Sequence, residues 1–220
     1  MSETTLPPRT RAKDPERARQ AILQGALDEF ALRGFDGATV RGIARRIDMS
    51  HGMIRYHFEG KEQLWKAAVD FLFERLEREV SIADDAVARL LRGDLDVFRD
   101  YLRRYVHYCA RYPEHARIVM QESVARSPRL DYLAEHHVRR AHEAALPVVE
   151  YLRGLGYFPP DLAPASILYM ITGASQNVFA MAAESRRSLG EDVTTPDNID
   201  AHAEAVARIF CPPAPLFAAS

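Results

Sequence analysis

Thr39-Val40-Arg41-Gly42-Ile43-Ala44-Arg45-Arg46-Ile47-Asp48-Met49-Ser50-His51-Gly52-Met53-Ile54-Arg55-Tyr56-His57-Phe58 is the stretch that decides how this chain is read. Thr39 and Ser50 each stand where a helix can begin, because a hydroxyl oxygen accepts a hydrogen bond from the free backbone N–H groups of a first turn. After Thr39, Val40, Ile43, Ala44 and Ile47 recur at helical spacing. After Ser50, Ile54 and Phe58 give the second segment its apolar anchor. Only Asp48 and Met49 lie between, and aspartate tolerates the left-handed backbone of a tight turn better than most residues. The pattern predicts two short helices joined by a tight turn, a helix-turn-helix.

The flanking sequence extends this into an all-α chain. Asp14-Pro15-Glu16 supplies a cap, a proline at the first helical position and an acid in the first turn. Ile22, Leu23, Ala26, Leu27 and Phe30 then mark one helical face, which Gly34 ends. Residues 1–13, with Pro7, Pro8, Arg9, Arg11 and Lys13, read as a flexible arm. Beyond Gly60, Leu64, Trp65, Ala68, Leu72 and Leu76 predict a long helix over 61–81. Further helices are expected over 95–112, 114–126, 128–153 (kinked at Pro147), 164–189 and 196–210. No segment sustains the alternation of a strand. The expectation is about nine helices, with a small three-helix unit over 1–60 and a larger helical domain over 61–220.

Composition narrows the class. Of 220 residues 47% are hydrophobic, enough for a packed core, and the net charge is only −2. The charge is unevenly placed: residues 1–66 carry 12 Lys and Arg against 9 Asp and Glu, whereas 67–220 carry 17 against 22. A basic first part on an acidic body suits a localised nucleic-acid contact. Cys109 and Cys211 have neither disulfide-framework nor metal spacing, which suits a reducing compartment. The start of the chain has no apolar signal core, and no run reaches the roughly 20 apolar residues of a membrane span. A cytoplasmic protein without membrane contact is expected. No nucleophile elbow, phosphate loop or dinucleotide fingerprint is present, so neither an enzyme nor a cofactor is called for. A metal enzyme is the weakest rival: His136, His137 and His142 cluster, but without a His-Glu-x-x-His pattern.

Thr39, Ile43, Ala44, then Ser50, Gly52, Ile54, His57, Phe58, then Lys61 and Leu64 form a pattern that resembles the TetR (tetracycline-repressor-like) family of bacterial transcriptional regulators. The resemblance is specific over about residues 16–66 and only architectural beyond them. It implies double-stranded operator DNA as partner and a repressor released by a small-molecule effector. Two positions depart from the family. Ile47-Asp48-Met49 stands where Ala-Gly-Val is usual, and Arg55 where Tyr is frequent. A helical ligand-binding or interaction module with a non-functional helix-turn-helix is the alternative that these departures keep open.

The resemblance and the side-chain chemistry together give the expected DNA-contacting set: Thr39, Arg41, Ser50, His51, Gly52, Met53, Arg55, Tyr56, His57 and Lys61. Arg41 suits a guanine edge or a phosphate. Ser50 caps its helix and offers an N–H to phosphate. Gly52 clears space for close backbone approach. His51, Met53 and Arg55 fall on positions expected to face base edges, with Met53 suited to a thymine methyl. Tyr56, His57 and Lys61 are expected at phosphates by analogy. Arg45 and Arg46 are weaker candidates, since a helix charge is most often only solvated.

In the larger domain Tyr101, Tyr105, Tyr108 and Tyr112 run along one side of a helix. Tyr101, Tyr105, Tyr108, Met120, Met170, Gln176 and Phe179 are the expected lining of a pocket for an apolar or aromatic effector, against the plainer reading of an aromatic core. The family resemblance implies a homodimer in which segments 128–153 and 164–189 pack against their copies, and a two-fold dimer requires a near-palindromic operator.

Overall fold

The computed structural model describes residues 15–217, so the expected arm over 1–13 and the Asp14 cap lie outside the described residues. Among these, twelve α-helices and one π turn occur, and no strand. They are α1 (Pro15–Gly37), α2 (Val40–Arg46), α3 (His51–His57), α4 (Lys61–Val80), α5 (Asp84–Leu90), α6 (Asp96–Arg111), α7 (Glu114–Ala125), α8 (Pro128–Leu133), the π turn (Ala134–Val138), α9 (Arg139–Gly154), α10 (Pro164–Ala180), α11 (Ala182–Ser188) and α12 (Pro196–Phe210). Two compact units divide the chain, one through Ala68 and one from Val69 onward. The boundary falls within α4. No helix among the described residues is long and apolar enough to cross a membrane.

The first unit is built on α1. Ile22, Leu23, Leu27 and Phe30 are fully buried with Ile43 of α2, Ile54 of α3 and Leu64 and Trp65 of α4. Each such side chain contributes about 1.5–3 kcal/mol by leaving water. Gly25 has a packing role absent from the sequence reading: a Cβ there would run into the Cγ2 methyl of Ile47, so glycine is what lets α2 lie against α1. Gly34 breaks α1 as expected, with φ +68°, but one further turn carries the helix to Gly37.

The second unit has one core. Val97, Phe98, Leu102 and Val106 of α6 meet Ala203, Val206, Ala207 and Phe210 of α12, with Ile167, Ile171 and Phe179 of α10 and Val149 and Leu152 of α9 completing it. Beyond α12 the chain folds back. Arg99 Nε and Nη2 donate to the carbonyls of Cys211 and Pro212, each at 2.9 Å. The amides of Leu216 and Phe217 donate to Gly156 O at 3.1 and 3.0 Å. Gly156 sits at φ +83° beneath this strap, and a Cβ there would strike Phe217 O.

Three expectations about helix limits are corrected. The short α5 was not foreseen, because seven residues hold too little periodicity; its acids Asp84 and Asp85 at the start were the available signal. The expected single helix over 128–153 is interrupted by the π turn at Ala134–Val138, while Pro147 lies inside α9 without ending it. The expected helix over 164–189 breaks at Met181, which separates α10 from α11.

Candidate nucleic-acid interface

Both short helices of the first unit are capped by the expected hydroxyls. Thr39 Oγ1 accepts from the amide of Gly42 at 2.9 Å, and Ser50 Oγ accepts from the amide of Met53 at 3.2 Å. Asp48 takes the left-handed turn conformation, φ 50°, that the two-residue connection requires. A change of Thr39 to alanine removes one cap and is expected to cost about 1 kcal/mol.

These caps point one set of side chains outward. Arg41, Ser50, Gly52, Met53, Arg55 and Tyr56 are exposed, and His51 and His57 are half-buried. Tyr56 is 84% exposed, far beyond what an aromatic ring takes without a use for it, and its edge meets the His57 ring with centroids 5.4 Å apart. Gly52 has open space where a side chain would stand, which leaves its backbone approachable. An open groove lined by Thr39, Arg41, Ala44, Arg45, Met49 and His51 joins the two helices. It brings together three of the expected residues and adds Arg45 and Met49. Arg45 is the fourth residue after Arg41, so both project to one side of α2. From Thr39 to His57 the chain holds four arginines and one acid, Asp48, so this face carries net positive charge.

Two cations face inward instead. Arg46 reaches back to Glu29 of α1, with Nη2 3.0 Å and Nε 3.3 Å from Oε2, and Arg33 binds the other oxygen at 2.9 Å. Glu29 is buried, and a Cβ on Gly42 would come within 2.6 Å of its Oε1. Sequence reading missed Glu29; an acid on the apolar face of α1 was its only signal. Lys61, expected at a phosphate, turns its ammonium onto carbonyls at the end of α1, 2.8 Å from Phe35 O and 3.1 Å from Ala38 O.

In the second unit the expected pocket residues do not close around one space. Tyr108 and Phe179 are buried in the core, Tyr101, Tyr105 and Gln176 are half-buried, and Met120 and Met170 face outward at 44% and 50% exposure. The helical spacing that suggested a lining is used for stacking: Phe98, Tyr101 and Tyr105 form a row with centroids 6.2 and 6.0 Å apart. Burial pushes the Tyr101 phenol up to about 12. Tyr108 donates to Leu72 O at 3.3 Å and shares a hydrogen bond with His115 Nδ1 at 3.2 Å. The histidines once weighed as metal ligands have other partners: His137 Nε2 lies 2.8 Å from Asp70, which also accepts from Tyr132 at 2.8 Å, and His136 Nδ1 lies 2.9 Å from Tyr132 O.

His115 carries a pH dependence. Desolvation, then the charge of Arg75 and of His137, hold its imidazole down to about 3. The folded protein therefore keeps it neutral, while the unfolded chain protonates it near 6.5. Stability from this residue is complete above about pH 6.5 and falls as pH drops toward 3, by up to about 1 kcal/mol per unit. Urea midpoints at pH 7 and pH 5 check this: His115→Gln should lose less between them than the unaltered protein.

Comparison with known proteins bears on the first unit most directly. Residues 22–68 match the family model described as bacterial regulatory proteins, tetR family. The HTH-type transcriptional repressor Rv3405c of Mycobacterium tuberculosis is 38% identical over 96 residues, 42% of this chain and 50% of that protein. The chain thus spans about half the length of the curated relatives it matches at that level. The HTH-type transcriptional regulator RutR of Escherichia coli is 25% identical over 168 residues, 76% of each chain. The crystal structure of HlyIIR, a hemolysin II transcriptional regulator, shares the fold with a TM-score of 0.62 at 18% identity, over 87% of this chain and 98% of that one.

Proposed function

Because residues 22–68 form a helix-turn-helix domain of the tetR family, we propose that the whole chain is a sequence-specific transcriptional repressor, released from a near-palindromic operator by a small-molecule effector. The single observation that carries this is the doubly capped α2–α3 unit, which turns Arg41, Arg45, Arg55 and Tyr56 into solvent on a face with one acid. That is the electrostatic and steric form of a major-groove insert. Thr39, Arg41, Ser50, His51, Gly52, Met53, Arg55, Tyr56 and His57 are its proposed contacts.

A homodimer supplies the second copy of α3 that a palindrome requires. Its proposed seat is α9 with α10, where Tyr169 is 65% exposed beside Met170 and the small residues Gly173 and Ala174 permit close helix approach. The effector is proposed to act on the larger unit and to shift α4, changing the spacing of the two α3 helices. Its reach is limited by its differential affinity for the two states.

The test is binding of the purified protein to duplex fragments from upstream of its own gene. Affinity should fall steeply with salt, as phosphate contacts demand. Absence of specific binding to every such fragment, across salt, removes the proposal. Arg41→Ala should weaken operator binding by about 1–3 kcal/mol. An equal loss on random-sequence duplex would mark Arg41 as a phosphate contact and not a base contact.

A further inference from the structure

We infer that Lys61 is a positioning residue of the helix-turn-helix, holding the end of α1 and the origin of α2 in place from within, and not a contact to the DNA backbone. An ammonium has three protons. Lys61 Nζ faces three carbonyls, at 2.8 Å from Phe35 O, 3.1 Å from Ala38 O and 3.5 Å from Asp36 O. The same charge rests over the Phe35 ring, 4.4 Å from its centroid, and that ring stacks on buried Phe30 at 5.9 Å. The acceptors belong to the last turn of α1, where helix carbonyls lack an amide partner and a cation meets the negative end of the helix dipole. A phosphate would have to draw the ammonium off acceptors that already use its protons.

What the grip fixes is as telling as what it satisfies. Ala38, one of its acceptors, is fully buried and is followed directly by Thr39, whose hydroxyl starts α2. The third residue of the sequence from Thr39 is Arg41. Lys61 is itself the first residue of α4, so one side chain ties the start of α4 to the point from which α2 is launched. Its effect on DNA reaches the interface through Thr39 and α2.

This consequence rests on the DNA-binding reading, and the experiment separates the two. Lys61→Met keeps the aliphatic stem over Phe35 and removes the donors; Lys61→Arg returns donors and charge. Without DNA, Lys61→Met should lower the melting temperature by about 4–8 °C and speed amide exchange at Gly42 and Ile43. With a random-sequence duplex, its log affinity against log salt should run parallel to that of the unaltered protein, displaced by about threefold to tenfold. Lys61→Arg should recover most of both effects. A salt slope reduced by about 0.9 would show that Lys61 neutralises a phosphate and would overturn the inference. So would unchanged amide exchange in Lys61→Met. If the unaltered protein has no affinity for duplex DNA, the DNA-binding reading falls, and the melting and exchange measurements still decide the positioning role.

Discussion

Glu114→Gln is expected to destabilise the larger unit by about 3–5 kcal/mol. Glu114 Oε1 accepts from Arg75 Nη2 at 2.8 Å, with the two side chains only 8% and 3% exposed. The guanidinium also lies over the Tyr112 ring, 3.6 Å from its centroid. Arginine cannot shed its proton to relieve burial, so a neutral partner leaves a full charge in the core. The cost comes from that stranded charge more than from a lost attraction. Replacing both residues, as Arg75→Met with Glu114→Leu, should therefore cost less than Glu114→Gln alone. Chemical denaturation of the three variants checks this. A single substitution costing under about 1 kcal/mol would mean that water reaches the pair.

Gly25→Leu is expected to cost about 3 kcal/mol in the smaller unit and to abolish operator binding. The contact at fault is between the added side chain and Ile47, the residue that closes α2. Alanine at this position gains about 1 kcal/mol of helix propensity, so its net effect measures the collision against a known credit. Shortening Ile47 to alanine in the Gly25→Ala background should relieve the collision, with a coupling of about 0.5–3 kcal/mol. Melting of the variants together with operator titration reads both effects. Full DNA binding by Gly25→Leu would show that the spacing of α1 and α2 is not what holds the interface.

What the sequence made legible was local. Thr39, Asp48 and Ser50 act on amides and torsions within three residues of themselves, so their spacing alone foretold the two caps and the left-handed turn. The apolar faces of α1, α4 and α12 were legible for the same reason. What escaped was long-range. Glu29 meets Arg46 and Lys61 meets Phe35 across separations that no periodicity encodes. Gly25 carried a signal that went unread: glycine inside a helix is costly, and so calls for a packing reason. The tyrosines of α6 mark the limit of the method. The same spacing serves a stacked core and a lined cavity, and only the neighbours decide between them.

The backward strap beyond α12 has a consequence for the order in which the protein is made. The packing of the smaller unit is complete within its own 68 residues. The larger unit needs α12 against α6, and then Arg99 and Gly156 closed over residues 211–217. At about 5–20 residues per second, synthesis of those later residues takes roughly 10–30 s more. During that interval the ribosome carries a DNA-reading head whose body has yet to close. A nascent repressor is thus able to collapse its reader first and its body last, and α6 waits with an open apolar face. That face is the place for a chaperone, and the stage at which a truncated message would release an aggregating product.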